Sequence, residues 1–224
     1  MIIHGDTQTL AKKAVQIIKD FSDNKEITVL GIPGGRSIKE IFNLFRTANI
    51  DWKKIQLFWV DDRLVDHKDK DSNYKLAYDS FIKDLIKDNK IPQKNIHPFN
   101  LDIRSKDKGT KAYTEELNKF GGFDIVLFGV GEDGHVGALY PDHHSVKDTT
   151  DQFITMQDSP KPPPYRMTGS KRLFMQAKVA IALFLGEAKS DAFKIFKDSK
   201  TSIADCPAKL IKSIKHNYAF TDLK

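Results

Sequence analysis

The alternation of short apolar runs with helix-period segments is the feature of this 224-residue chain that most limits its fold. Apolar runs predict strands at 27–32, 55–60, 123–130, 179–185 and 217–221. Helical spacing predicts helices at 7–21, 37–46, 72–87, 110–120 and 187–197. Because alternating strands and helices form crossover units, we expect an α/β fold with an open, mostly parallel, Rossmann-like sheet and helices on both faces. No repeat or linker interrupts the pattern, so a single domain over residues 1–224 is expected.

The N-terminus and the cysteine content bear on the compartment. Cys206 is the one cysteine, so an intramolecular disulfide is excluded and a reducing compartment is favoured. The first residues lack the basic-then-apolar order of a signal peptide, and no apolar run approaches the roughly 20 residues that span a bilayer. We therefore expect a cytoplasmic protein that does not associate with membranes.

The formal net charge of +6 would suit a nucleic-acid binder or an enzyme that acts on anionic metabolites. The lysines, however, alternate with acidic residues and lie mostly in predicted helices. This pattern is typical of a solvated surface rather than a binding stripe, so no nucleic-acid partner is expected.

Glycine-rich or charged turns follow four of the predicted strands. In order along the chain they are "PGGRS" (33–37), "DDRLVDHKDKDSN" (61–73), "GEDGHVG" (131–137) and "GEAK" (186–189). In an open parallel sheet the carboxyl ends of the strands share one edge, and ligands bind there. The sequence therefore predicts one composite site built from four distant segments.

The first turn has the residues of an anion-binding loop. Gly34 and Gly35 allow backbone N–H groups to approach an anion, and the helix predicted to begin near Ser37 adds partial positive charge. Arg36 can bind phosphate oxygens through two N–H groups. The alternative is a plain strand-to-helix turn that needs glycine for its geometry, since the segment is neither a P-loop nor a dinucleotide-binding fingerprint.

The other turns carry ionisable residues. Asp61 and Arg63 follow the second strand, where charge is costly unless it is paired or faces a cleft; a surface ion pair is the alternative. Asp133 and His135 are two residues apart among glycines, and a neighbouring acid can fix the tautomer of a histidine and raise its basicity. The alternative is a structural histidine that caps the next helix.

Further basic residues could complete a cationic pocket with Arg36 and Arg63. They are Arg166, after a proline-rich segment, and Lys189, in the last turn. Paired acids make a metal site conceivable, but no group of residues has clear ligand spacing. His143 and His144 follow a proline and are interpreted as surface residues.

Five segments in this order resemble the 6-phosphogluconolactonases, a family that also contains glucosamine-6-phosphate deaminase. They are "GGRS", "DDRLV" followed by "SN" at Ser72 and Asn73, "GVGEDGHVGALYP", "PKPPPYR" and "GEAK". The resemblance spans about residues 27–211. The chain departs from the family pattern at Asp62, where glutamate is usual, at Pro33, where serine is common, and at Met167–Ser170. These departures bear on specificity rather than on the class of reaction.

The resemblance implies hydrolysis of 6-phospho-D-glucono-1,5-lactone to 6-phospho-D-gluconate, a step of the oxidative pentose phosphate pathway. It implies that His135 deprotonates the attacking water, that Asp133 orients His135 or holds a substrate hydroxyl, and that Asp61 and Arg63 lie near the lactone. The phosphate would be held by Gly34, Gly35, Arg36, Ser37, Arg166 and Lys189. No metal or organic cofactor is implied; the partner would be a sugar-phosphate lactone, and we expect a monomer or a weak homo-oligomer.

Two other functions remain open. The deaminase branch of the family carries a glutamate where this chain has Tyr140 and an aromatic residue where it has Arg63. The chain therefore resembles the lactonase branch more closely than a deaminase-like sugar-phosphate isomerase. A sugar-phosphate-binding protein without catalytic activity is the other alternative.

Overall fold

The computed structural model describes residues 1–223 and confirms the predicted α/β class. Strands β1 to β10 are, in chain order, Ile2–His4, Thr28–Ile32, Ile55–Trp59, Asp61–Arg63, Ile96–His97, Ile125–Gly129, Phe153–Met156, Arg166–Gly169, Val179–Phe184 and His216–Thr221. Helices α1 to α8 are Thr7–Asp23, Lys39–Phe45, Asn73–Ala77, Lys83–Lys87, Thr110–Asn118, His144–Lys147, Lys171–Met175 and Ser190–Lys197. A π-helical turn, Tyr78–Ile82, joins α3 to α4, and 3-10 helical segments lie at Trp52–Lys54, Gln93–Asn95, Glu187–Lys189 and Pro207–Ser213.

The main sheet has seven strands in the order β1-β10-β9-β6-β2-β3-β5, and every neighbouring pair is parallel. A second sheet of three antiparallel strands has the order β4-β8-β7. This second sheet was not predicted from the sequence. Its strands have three or four residues each and lack a continuous apolar run, so their pairing depends on distant parts of the chain.

The centre of the main sheet is covered on both faces. Every residue of β2, β3 and β9 is buried, which explains why these strands are mostly apolar, with Thr28 and Gln56 as buried polar exceptions. Helix α1 begins at the N-cap Asp6, whose carboxylate accepts a hydrogen bond from the Thr9 N–H at 2.7 Å. Within residues 1–223, the structure has no helix with the length and apolar character needed to cross a bilayer.

Candidate active site

A cavity of about 510 Å³ opens at the carboxyl edge of the main sheet, where β2, β3, β6 and β9 end. This volume lies within the roughly 300–1,000 Å³ of small-molecule sites. Residues from all four of the turns singled out in the sequence line it. The predicted site residues at this cavity are Gly34, Gly35, Arg36, Ser37, Asp61, His135, Arg166 and Lys189.

The imidazole of His135 is oriented by Asp133. Its Nδ1 lies 2.5 Å from Asp133 Oδ1, which also accepts the backbone N–H of His135 at 3.2 Å. Gly131 makes room for the ring, because a Cβ atom there would lie 2.0 Å from Nδ1 of His135. Among the described residues, no group hydrogen-bonds Nε2 of His135. That nitrogen is therefore available to a ligand in the cavity, which His135 lines and Asp133 does not.

The environment of Asp133 keeps its carboxyl group ionised. Burial alone would raise its pKa, but the hydrogen bond and charge of His135 outweigh this effect and lower the pKa to about 2. The ammonium group of Lys161, 3.9 Å from Asp133 Oδ2, acts in the same direction. Asp133 can therefore stabilise a protonated His135 without taking up the proton itself.

Replacement of Asp133 by asparagine should reveal the effect of this charge on the pH dependence of the unfolding free energy. Folding lowers the pKa of Asp133 from 3.8 to about 2, so the carboxylate stabilises the fold above that range and loses its effect as the pH falls through about 2. We expect the wild type to exceed the variant in unfolding free energy by on the order of 1–2 kcal/mol at pH 5. Urea unfolding should show the difference shrinking below about pH 4. A difference that stays constant from about pH 4 down to about pH 2 would contradict this assignment.

The local geometry explains why glycine stands at both positions of the first turn. A Cβ atom at Gly34 would lie 1.8 Å from Asn73 Oδ1, and Gly35 has a left-handed φ of +91° with open space beside it. Asn73 in turn donates from Nδ2 to the Asp61 carbonyl at 2.9 Å. The geometric explanation of the glycine pair therefore holds, and phosphate binding by this loop remains a prediction.

Asp62 acts from behind the cavity wall. Its buried carboxylate accepts the backbone N–H groups of Asn73 at 2.7 Å and Tyr74 at 3.0 Å, at the start of α3. Burial raises the pKa of Asp62 to about 6 in spite of these hydrogen bonds, and the neighbouring charge of Asp61 adds to the increase. Together with Ser72, the predicted N-cap that accepts the Lys75 N–H at 3.2 Å, Asp62 holds Asn73 against the cavity.

Most of the hydrogen-bond donors of Arg166 are engaged by the proline-rich loop. This buried side chain donates from Nε to the Pro163 carbonyl at 3.1 Å and from Nη2 to the carbonyls of Pro162 and Lys161 at 3.0 and 3.3 Å. Its Nη1 lies 3.9 Å from Asp61 Oδ2. Arg166 thus anchors the loop that brings Lys161 to the cavity, a role that the sequence analysis did not foresee.

Arg63 does not reach the cavity, which departs from its expected place in the cationic pocket. Its Nη1 donates to the Asp71 carbonyl, and the side chain is not part of the cavity lining. In the antiparallel pair of β4 and β8, Arg63 stands opposite Arg166, while Asp61 pairs with Thr168. The Asp71 carbonyl holds the guanidinium away, so Arg166 is the arginine that approaches Asp61.

The cavity is lined by the cationic side chains of Arg36, Lys161, Arg166 and Lys189. Burial lowers the pKa of Lys189, and the nearby charges of Arg36 and Lys161 act in the same direction, while the charges of Glu132 and Asp133 oppose them. Arg36 is exposed, and Lys189 is half-buried. This concentration of positive charge suits an anionic group of a ligand.

Comparison with known proteins shows which family the chain belongs to. The sequence matches the family described as glucosamine-6-phosphate isomerases/6-phosphogluconolactonase over residues 6–220. The chain belongs to this family. It is 30% identical over 203 residues to a 6-phosphogluconolactonase of Borreliella burgdorferi, covering 90% of this chain and 86% of that protein. It is also 30% identical over 211 residues to the probable 6-phosphogluconolactonase 4 of Arabidopsis thaliana, covering 85% and 79%.

Solved structures of the glucosamine-6-phosphate isomerase/6-phosphogluconolactonase family share the fold. The structure of a 6-phosphogluconolactonase from Thermotoga maritima superposes with a TM-score of 0.84 at 20% identity, covering 99% of this chain and 97% of that one. A monomeric glucosamine-6-phosphate deaminase superposes with a TM-score of 0.81 at 20% identity, covering 99% and 95%. Both activities therefore occur on this fold, and the fold alone does not separate them.

Tyr140 occupies the position at which the deaminase branch was expected to carry a glutamate. Its buried ring lies 4.8 Å from the ring of His135, centroid to centroid, and its hydroxyl accepts a hydrogen bond from Ser159 Oγ at 2.9 Å. Burial raises the pKa of this phenol, so the group is neutral at physiological pH. This position therefore supplies no carboxylate to the cavity that His135 lines.

Four lining residues with polar or charged side chains were missing from the predicted site. Asn73, Glu132, Lys161 and Glu187 all border the cavity. Each lies inside a segment that was recognised as a motif of the 6-phosphogluconolactonase family, so the segments were found but these side chains were not selected. Two of them contact another segment: Asn73 lies against Gly34, and the ammonium group of Lys161 lies 3.9 Å from Asp133 Oδ2.

Proposed function

We propose that this chain hydrolyses 6-phospho-D-glucono-1,5-lactone to 6-phospho-D-gluconate, a carboxylic-ester hydrolysis of carbohydrate metabolism. The observation that carries the proposal is the pairing of Asp133 with Nδ1 of His135, which leaves Nε2 available in a cavity with cationic walls. The names of the similar lactonases support the same substrate. The absence of an acidic side chain at Tyr140 favours ester hydrolysis over amino-sugar deamination.

His135 is proposed as the general base. Its Nε2 takes a proton from water as the water oxygen bonds to C1 of the lactone, which forms a tetrahedral oxyanion. The intermediate then collapses with cleavage of the bond between C1 and the ring oxygen, and the imidazolium returns its proton to that oxygen. The carboxylic acid product ionises and releases one proton to solvent. The ionised Asp133 stabilises the imidazolium throughout.

The two ends of the substrate are assigned from the charges around the cavity. Arg36 and Lys189, with the backbone of the Gly34–Gly35 turn and Ser37, are proposed to hold the phosphate. The ammonium group of Lys161 lies beside Asp133 and is proposed to stabilise the developing oxyanion. Asp61, buried beside Arg166, is proposed to accept a hydrogen bond from a sugar hydroxyl.

The direct test is a lactonase assay with freshly generated lactone, corrected for spontaneous hydrolysis. Production of 6-phosphogluconate is followed with a coupling enzyme, and ammonia release from glucosamine 6-phosphate is measured in parallel. Lactone consumption above background without ammonia supports the proposal. Ammonia release would identify a deaminase, and binding of sugar phosphates without turnover of either substrate would identify a binding protein.

The Lys189→Met variant tests the phosphate end. A charge-assisted hydrogen bond contributes about 1.5–3 kcal/mol, so we expect KM to rise about 10–100-fold with little change in kcat. Lys194→Met is the matched control, because Lys194 is an exposed lysine of the helix that follows, outside the cavity lining. A fall in kcat at unchanged KM would place Lys189 at the reacting carbonyl instead.

A further inference from the structure

A second cluster of ligand atoms lies outside the cavity, at His143, His144 and Asp158. Nε2 of His144 is 2.9 Å from Asp158 Oδ1, and Nε2 of His143 is 3.4 Å from the same oxygen. One ligand atom from each residue lies within 4.8 Å of the other two. Ligands bound tetrahedrally at roughly 2.0–2.1 Å are separated by about 3.3 Å, so these spacings already approach those of a metal site.

We propose that these three residues bind one divalent cation of the zinc class. Two imidazoles and one carboxylate suit Zn²⁺, Co²⁺ or Ni²⁺ and are poorly matched to Mg²⁺ or Ca²⁺, which prefer oxygen ligands. Three protein ligands leave a fourth position for water. The cluster makes no use of the residues assigned to lactone hydrolysis, so its binding of metal does not depend on that assignment.

The buried Nε2 of His143 is the position that a cation would occupy. Its Nε2 is buried and makes no hydrogen bond, although Asp158 is only 3.4 Å away. Its Nδ1 accepts the backbone N–H of Ser145 at 3.2 Å, as the N-cap of α6, and lies 2.9 Å from Ser145 Oγ. A cation bound at Nε2 would place the imidazole proton on Nδ1, which would then donate to Ser145 Oγ and give up the bond from the Ser145 N–H. Such a second hydrogen bond commonly orients a histidine ligand.

The position of the cluster gives the cation a structural role. Asp158 belongs to the segment between β7 and β8 that also carries Lys161, whereas both histidines follow the turn that contains His135. Ser159 donates to the hydroxyl of Tyr140, whose ring packs against the rings of both His135 and His143. A bound cation would tie the two segments together beside the cavity.

The test is calorimetric titration of the full chain, freed of metal with a chelator, with Zn²⁺ and then Co²⁺. We expect one ion per chain, and we expect His144→Ala and Asp158→Asn each to weaken binding at least about tenfold. Both side chains are largely exposed, so these variants should fold. His216→Ala and Asp142→Asn are the matched controls. The first removes an exposed histidine elsewhere in the chain, and the second removes an exposed acid next to His143 in sequence. Both variants should bind metal as the wild type does.

Thermal unfolding gives a second readout. At a metal concentration about 100-fold above Kd, Tm of the wild type should rise by about 5–10 °C, and the two cluster variants should lose the shift. Binding that survives in His144→Ala and Asp158→Asn but disappears in His135→Ala would place the ion in the cavity and overturn the proposal. Failure of the wild type to bind Zn²⁺ or Co²⁺ at a metal concentration of about 100 µM would overturn it as well.

Discussion

Replacement of His135 by alanine is expected to lower kcat for the lactone by about 10²–10⁴-fold, the usual contribution of a positioned general base. The variant removes the imidazole that Asp133 orients from 2.5 Å, and the described chain offers no second base in the same position. Alanine leaves space for water but supplies no group to accept its proton. The measurement is steady-state hydrolysis of fresh lactone after subtraction of the uncatalysed rate.

The binding of 6-phosphogluconate separates loss of chemistry from loss of the site. Because the phosphate is assigned to Arg36 and Lys189, Kd for this product should change by no more than about threefold in His135→Ala. His216→Ala, which removes an exposed histidine on β10, serves as the control and should keep full activity. If His135→Ala hydrolysed the lactone at the wild-type rate, His135 would not be the base.

Replacement of Arg166 by methionine is expected to lower the free energy of unfolding by about 3–5 kcal/mol. The guanidinium is buried and donates to three carbonyls of the loop at 161–163, and it also lies 3.9 Å from Asp61. Methionine fills much of the volume but leaves those acceptors and the buried carboxylate without a partner. Unfolding in urea at neutral pH measures the loss.

Activity should fall along with stability, because Lys161 loses the anchor that holds its backbone. Arg172→Met is the matched control; Arg172 is exposed and donates to the Thr149 carbonyl, so its loss should cost less than about 0.5 kcal/mol. Arg166→Lys keeps a charge near Asp61 but cannot serve three carbonyls, and an intermediate stability is expected. If Arg166→Met raised KM without a change in stability, Arg166 would bind the phosphate, as the family resemblance implies.

The extent of the sequence-based prediction differs between the two sheets. The strands at Thr28–Ile32, Ile55–Trp59 and Val179–Phe184 were predicted because a strand buried on both faces is mostly apolar. The three short strands of the antiparallel sheet carry no such pattern. Their pairing joins Asp61–Arg63 to Arg166–Gly169 across about a hundred residues, and local periodicity contains no information about it.

The candidate site also has one part that was predictable from the sequence and one part that was not. The gathering of the four turns was predictable, because parallel strands end at a common edge. Which of Arg63 and Arg166 lines the cavity was not predictable, since nothing in the local sequence separates them. Only the structure shows that the Asp71 carbonyl holds Arg63 outside, while Arg166 spans the loop at 161–163. Lys161 is directed toward Asp133 by that same loop.

By itself, the sequence predicted the fold class, the gathering of four turns at one edge of the sheet, and the closeness of Asp133 to His135, because each follows from local pattern or short spacing. The tertiary structure alone decided the antiparallel sheet, the separate placements of Arg63 and Arg166, and the meeting of Asp158 with His143 and His144. Each of these depends on contacts between segments far apart in the chain, where competition for hydrogen-bond partners and space, rather than residue type, sets the outcome.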